Sequence, residues 1–252
     1  TDVMKKVIRL ARHCIAKMLI TTNPSLLTSA QRLGSIRPLI QLVRDIKATD
    51  LQHFEALMAV TNVASSGEDA KNRIVTEKGI PSFHFAMFSD HEMVRRAATE
   101  AMCNLVPHSA MTDHLAEDEH LRLWFAFAVD FEENYECARA ATGCLAMASQ
   151  DELIAQEIVK LEKFRQHTSA LLESGRLEIM HRTFVLVLNL VQLGSEIRAK
   201  VISEGLVEFC RAYIELRKQQ NGAGELEFPE EERKLLPVTV DIAKEIVLNA
   251  DE

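Results

Sequence analysis

Residues 96–105 read Arg96-Ala-Ala-Thr-Glu-Ala-Met-Cys-Asn104-Leu, small and large apolar residues in alternation with an arginine at the start and an asparagine near the end. The same run returns as Phe54-Glu-Ala-Leu-Met-Ala-Val-Thr-Asn62-Val, as Arg139-Ala-Ala-Thr-Gly-Cys-Leu-Ala-Met147-Ala and as His181-Arg-Thr-Phe-Val-Leu-Val-Leu-Asn189-Leu. Taken at the ninth residue of each, the steps are 42, 43 and 42 residues. A further step of 42 back from Asn62 reaches Ile20, within Arg12-His-Cys-Ile-Ala-Lys-Met-Leu-Ile20. A second marker keeps the same phase. Gly79-Ile-Pro-Ser-Phe and Gly205-Leu-Val-Glu-Phe lie three periods apart, and Gly34-Ser-Ile-Arg-Pro-Leu-Ile-Gln-Leu-Val stands 45 residues before the first of them.

A period of 42 residues that holds a short helix, a glycine-initiated second helix and a long apolar third helix is the pattern of HEAT and armadillo arrays. One repeat cannot bury its apolar faces alone, so neighbours stack into a shared core. Composition agrees. With 9 Gly, 6 Pro, 1 Trp and 2 Tyr in 252 residues, turn punctuation and aromatic content are too low for a large sheet protein. The expected fold is an all-α, armadillo/HEAT-like α-solenoid of about five three-helix repeats with a C-terminal capping helix, forming one curved domain over residues 1–252.

In the second repeat the expected helices are 68–78, 81–88 and 92–106, with Gly79 supplying a left-handed corner, Pro81 in the first turn and Asp90 as N-cap of the third helix. Residues 217–236 are polar, glycine-containing and mostly acidic, and read as a mobile loop. Pro237 then restarts an amphipathic capping helix. The chain opens Thr1-Asp2-Val3 on a helical pattern without an initiator Met, which reads as a piece of a longer polypeptide.

Charge and motifs exclude several functions. The formal charge is −8 and there is no long Lys/Arg cluster, so the footprint of nucleic-acid or anionic-membrane binding is missing. The longest apolar stretch, 184–193, is half of a bilayer span. Cys14, Cys103, Cys137, Cys144 and Cys210 include no Cys-x-x-Cys pair and sit among apolar neighbours, as reduced structural cysteines of a cytosolic protein do. His108, His114 and His120, six residues apart, fall on different faces of a helix and read as surface or loop histidines rather than metal ligands. Phosphate-cradling loops and the hydrolase elbow are absent, so neither an enzyme nor a cofactor is expected.

The informative polar residues recur in register. Asn62, Asn104 and Asn189 stand in otherwise apolar runs, where asparagine is a poor helix former. They read either as internal amides capping a neighbouring loop or as a ladder offering donors and acceptors to a passing backbone; Met147 interrupts the series. Eight residues earlier come Phe54, Arg96, Arg139 and His181, with Arg95 and Arg182 adjacent and Glu100 one turn before Asn104. They form either a solvated face or a partner-binding groove, for which arginine and aromatic anchors are suited.

These runs resemble armadillo repeats, and Phe54 to Ser65, Arg95 to Val106 and His181 to Leu190 are similar to the C-terminal UCS domain of myosin chaperones. The resemblance covers nearly the whole chain. It implies a module that binds the myosin motor domain and assists its folding and filament assembly, in the cytoplasm and, in muscle, at the sarcomere. It also implies recruitment of a 90-kDa heat-shock chaperone through a tetratricopeptide domain that nothing in these residues matches. A scaffold or adaptor that binds a linear peptide of another partner is the alternative.

Overall fold

The computed structural model describes residues 2–219 and 228–251. No strand occurs among them, and the chain divides into two compact units, Thr1–Met111 and Thr112–Glu252. The fold is the all-α armadillo type.

The first unit begins with α1 (Asp2–Thr21) and a short 3-10 turn, Pro24–Leu26, followed by α2 (Ser29–Val43), α3 (Asp50–Ala64), α4 (Glu68–Thr76), α5 (Gly79–Ala86) and α6 (Glu92–Cys103). Two starts are set by capping boxes, Thr28-Ser-Ala-Gln31 and Thr49-Asp-Leu-Gln52. Each threonine hydroxyl accepts from the glutamine N–H at 3.3 Å, and each glutamine side chain accepts the threonine N–H at 2.9 and 3.0 Å respectively. The third helices of successive repeats, α1, α3 and α6, pack side by side, with α2 against α3 and α5 against α6.

Helix α7 (Ser109–Leu115) contains the boundary between the units. The second unit continues with α8 (Asp118–Val129), α9 (Tyr135–Ala148), α10 (Glu152–Lys160), α11 (Phe164–Leu172), α12 (Leu177–Gln192), α13 (Ser195–Ser203), α14 (Leu206–Gln219), α15 (Glu230–Arg233) and α16 (Leu235–Asp251). Here α9, α12 and α16 are the stacked third helices, backed by α8, α11 and α14. Trp124 on α8 is fully buried. One position per repeat explains the close stacking. Ala56, Ala98, Ala141 and Thr183 share a register and are all 0% exposed, because a small side chain lets neighbouring helices approach. Cys14 holds that register in α1 and is exposed, so it is not a core cysteine as its neighbours suggested. Cys103 is half-buried, while Cys137, Cys144 and Cys210 are buried; burial pushes the Cys210 thiol up to about 12.

Several expectations are corrected. Gly34 does not open a helix but lies inside α2, whose start the Thr28 capping box sets. It stands four residues before Pro38, whose missing N–H leaves the Gly34 carbonyl without its usual helical donor. The left-handed corner before α5 belongs to Lys78, at φ 66°, whereas Gly79 is the first helical residue. Gly79 is needed for proximity, since a Cβ there would stand 2.3 Å from Ile74 Cγ2 and 2.9 Å from the Ile74 carbonyl oxygen. Gly205 does hold the corresponding left-handed corner, at φ 77°. The cap residue of α6 is His91, without a side-chain bond, and not Asp90. Of the expected loop, 217–219 extend α14 and 230–236 are nearly all helical, while 220–227 lie outside the described residues. Pro237 falls in the first turn of α16, as its fixed φ favours.

Candidate partner-binding face of the third helices

The asparagine series joins the repeats. Asn62 Nδ2 donates to the carbonyls of Leu19 (2.7 Å) and Thr22 (2.9 Å) at the end of α1, and Asn104 Nδ2 donates to Thr61 O on α3 at 3.3 Å. In the second unit Asn189 Nδ2 donates to Ala146 O at 2.8 Å and Ser149 Oγ at 3.0 Å, at the end of α9. Carbonyls in the last turn of a helix lose intrahelical donors, and the Asn62 amide supplies those of Leu19 and Thr22, whereas Thr61 O also takes the Ser65 N–H and Ala146 O the Ser149 hydroxyl. The ladder that would grip a partner's backbone therefore has its donors engaged within the protein. Met147, at the interrupted rung, is 39% exposed.

In the first unit, the third helices hold Phe54, half-buried near the start of α3, and the α6 pair Arg96 and Glu100, with Arg96 Nε 3.2 Å from Glu100 Oε1. Arg95 has a different job. Its Nη1 donates to the Ser89 and Asp90 carbonyls, both at 3.0 Å, and so ties down the loop that enters α6. His13 on α1 pairs with Glu55 on α3, a cross-repeat contact that neither residue's place in the repeat pattern suggested.

In the second unit the corresponding residues form a network. Arg139 meets Glu136 at 3.0 Å and reaches across to Glu178 on α12 at 3.2 Å. Arg182 holds the same Glu178 carboxylate at 2.6 Å and donates to the Arg139 carbonyl. Burial opposes the Arg139 charge, but Glu136 and Glu178 outweigh it and raise the pKa above the ordinary arginine value. Gly143 makes this possible. It replaces the residue equivalent to Glu100, and a Cβ there would stand 2.9 Å from Arg182 Nη1. The pairing within one helix at Arg96 and Glu100 thus becomes a pairing between repeats. Glu232 on α15 accepts from the Glu178 N–H at 3.2 Å and from the Tyr135 hydroxyl at 3.4 Å, capping α12 from 54 residues away. Burial, then Glu232 and Glu178, push the Tyr135 hydroxyl up to about 12. His181 contacts Thr239 Oγ1 on α16 at 3.2 Å, and burial, then Arg182, lower its pKa below the ordinary histidine value.

Within each unit, then, the third helices carry paired charges, and in the second unit these form a network. Glu178, Gly143, Tyr135 and Glu232 belong to it and escaped the sequence reading. Only the Glu/Gly difference between the aligned runs at 100 and 143 was visible beforehand. Of the three evenly spaced histidines, His108 lies in the loop between α6 and α7 as expected, whereas His114 and His120 come together. The rings of His114 on α7 and His120 on α8 stack at 3.9 Å, because a turn between the helices folds them together. His108 donates to Asn72 Oδ1 at 3.1 Å.

No family model matches the chain. The chain is 31% identical over 220 residues to protein unc-45 homolog B of Danio rerio, covering 84% of this chain and 23% of that protein. The structure of UNC-45 from Drosophila melanogaster matches with a TM-score of 0.81 and 26% identity over 96% of the chain. Over most of its length the chain resembles UNC-45 proteins. It spans about a quarter of the length of these relatives, 29% in the Drosophila case. A second solved structure, of an UNC-45 chaperone with features critical for binding and folding muscle myosin, matches with a TM-score of 0.78 at 20% identity and supports the armadillo-type fold. Among the described residues no helix is long and apolar enough to cross a membrane.

Proposed function

We propose that this chain is the client-binding module of a myosin chaperone, which holds a partly folded myosin motor segment on its third-helix face, assists folding and filament assembly, and works in the cytoplasm. The observation that carries the reading is the 31% identity to an UNC-45 protein over 84% of the chain. The paired charges agree with it. Arg96, Arg139 and Arg182 are partly exposed arginines on third helices of an otherwise acidic protein, each beside a carboxylate that a client cation or backbone amide can engage in exchange. The engaged asparagines argue against a peptide-reading scaffold of the kind that uses an amide ladder. A 90-kDa heat-shock chaperone is the proposed co-worker, recruited through sequence outside these 252 residues.

Light scattering of heated myosin motor domain tests this directly. The chain is expected to suppress aggregation at a near-stoichiometric ratio, and Arg96→Glu to weaken that effect while leaving the thermal midpoint of the chain within about 2 °C, as befits a surface position. Tight binding of isolated peptides without any suppression would transfer the chain to the scaffold class. Full suppression by an Arg96→Glu plus Arg139→Glu variant would remove the paired charges from the client site.

A further inference from the structure

Ile46 and Phe85 are 88% and 82% exposed, the highest values among the large apolar side chains of the described residues. Both line one cavity of about 270 Å³ in the first unit, between the loop that follows α2 and the body of α5, together with Val43 and Pro81. Exposed large apolar residues scattered singly need no explanation, but two that flank one concavity form an anchor site. Its volume lies below the roughly 300 Å³ at which small-molecule pockets begin, so it suits one bulky side chain.

The rim is cationic. Arg44 crosses it, with Nε donating to Ser82 Oγ at 2.7 Å and Nη2 to the Lys78 and Glu77 carbonyls at 2.7 and 3.1 Å, and it meets no carboxylate among the described residues. Lys47 and Lys78 are exposed, and neither ammonium has a partner among the described residues. Two of the neighbouring acids are already engaged. Asp45 is held by Arg9 at 2.7 and 3.3 Å, and Glu77 by Arg37 at 3.0 Å and Arg73 at 2.7 Å. On a chain of net charge −8, this leaves the Arg44 guanidinium in the lining of an apolar seat, with Lys47 next to Ile46 in sequence and Lys78 holding Arg44 through its carbonyl.

We propose that this cavity docks an acidic linear segment of a partner protein, seating one large apolar side chain between Ile46 and Phe85 with a flanking carboxylate against Lys47 and Lys78. A second copy is the poorer occupant, because a two-fold contact through the same patch brings the two cationic rims together. His53, at the start of α3, also lines the cavity, which otherwise belongs to α2, the loop after it and α5, and the inference does not depend on the chaperone reading.

Fluorescence anisotropy of the 252-residue chain with a fluorescein-labelled peptide, Asp-Asp-Phe-Leu-Asp-Asp, tests the assignment against the same peptide with lysines in place of the aspartates. The acidic peptide is expected to bind saturably and more weakly as salt rises, with about tenfold loss in Phe85→Ser and several-fold loss in a Lys47→Gln plus Lys78→Gln variant. Each of these side chains is exposed, and an unchanged thermal midpoint checks that the variants fold. Absence of saturable binding, equal binding of the lysine peptide, or indifference to Phe85→Ser overturns the proposal. So does a concentration-dependent dimer in sedimentation that Phe85→Ser abolishes, which gives the cavity to a second copy.

Discussion

Asn62 and Asn189 each bridge two acceptors on the preceding third helix, whereas Asn104 reaches one. Removing the Asn62 amide leaves the Leu19 and Thr22 carbonyls without that donor, so Asn62→Ala is expected to cost about 1–3 kcal/mol in urea unfolding, and Asn189→Ala and Asn104→Ala less, because Ala146 O keeps the Ser149 hydroxyl and Thr61 O the Ser65 N–H. The α5 corner gives a second pair of opposite sign. Lys78 holds a left-handed conformation that costs a side-chain-bearing residue roughly 1–2 kcal/mol, so Lys78→Gly should raise the unfolding midpoint. Gly79→Ala should lower it, since the added methyl meets Ile74 side chain and backbone together. Both residues stand in a segment where the sequence shows only one glycine. The letter marks a tight corner but not which backbone torsion or which neighbour demands it.

Helix starts follow local chemistry where it is complete. Thr28 and Thr49 begin α2 and α3 by reciprocal bonds with glutamines three residues on, and Thr49→Ala is expected to cost about 1 kcal/mol and speed amide exchange in the first turn of α3. That Thr-x-x-Gln signal was in the sequence and, read in time, places the start of α2 at Thr28 instead of Gly34. The start of α12 is a different case. Arg176 gives no side-chain cap, and the α12 N-terminus is served by Glu232, which follows it by more than fifty residues. Glu232→Gln should therefore destabilise α12 selectively, with faster hydrogen exchange at 177–180 and little change in α3 or α6. No local pattern announces such a cap, because it exists only once α15 has folded back against α12.

At the scale of the whole molecule, pH dependence sums several groups with one sign. His181 and His167 have folded pKa values below the ordinary 6.5, through burial first and then neighbouring cations, so the unfolded chain binds more protons as pH falls through that value. Asp45, held low by the Arg9 hydrogen bond against the opposing effect of burial, acts in the same direction around and below pH 3.8. The thermal midpoint is thus expected to fall from pH 7.5 to 5.5, and replacing His181 with Gln should flatten that slope. The sequence by itself determined the repeat, the all-α class and the register of the third helices, because a 42-residue period written in small and large apolar residues states directly which faces must be buried. It also placed Arg96, Arg139, His181 and Arg182 on those helices. Tertiary structure alone decided what their polar groups do. Whether an asparagine faces a partner or the carbonyls of the preceding helix, and whether an arginine pairs within its helix or across to the next, depends on the few ångströms between stacked helices. That distance is set by packing, which the order of residues along one helix does not record.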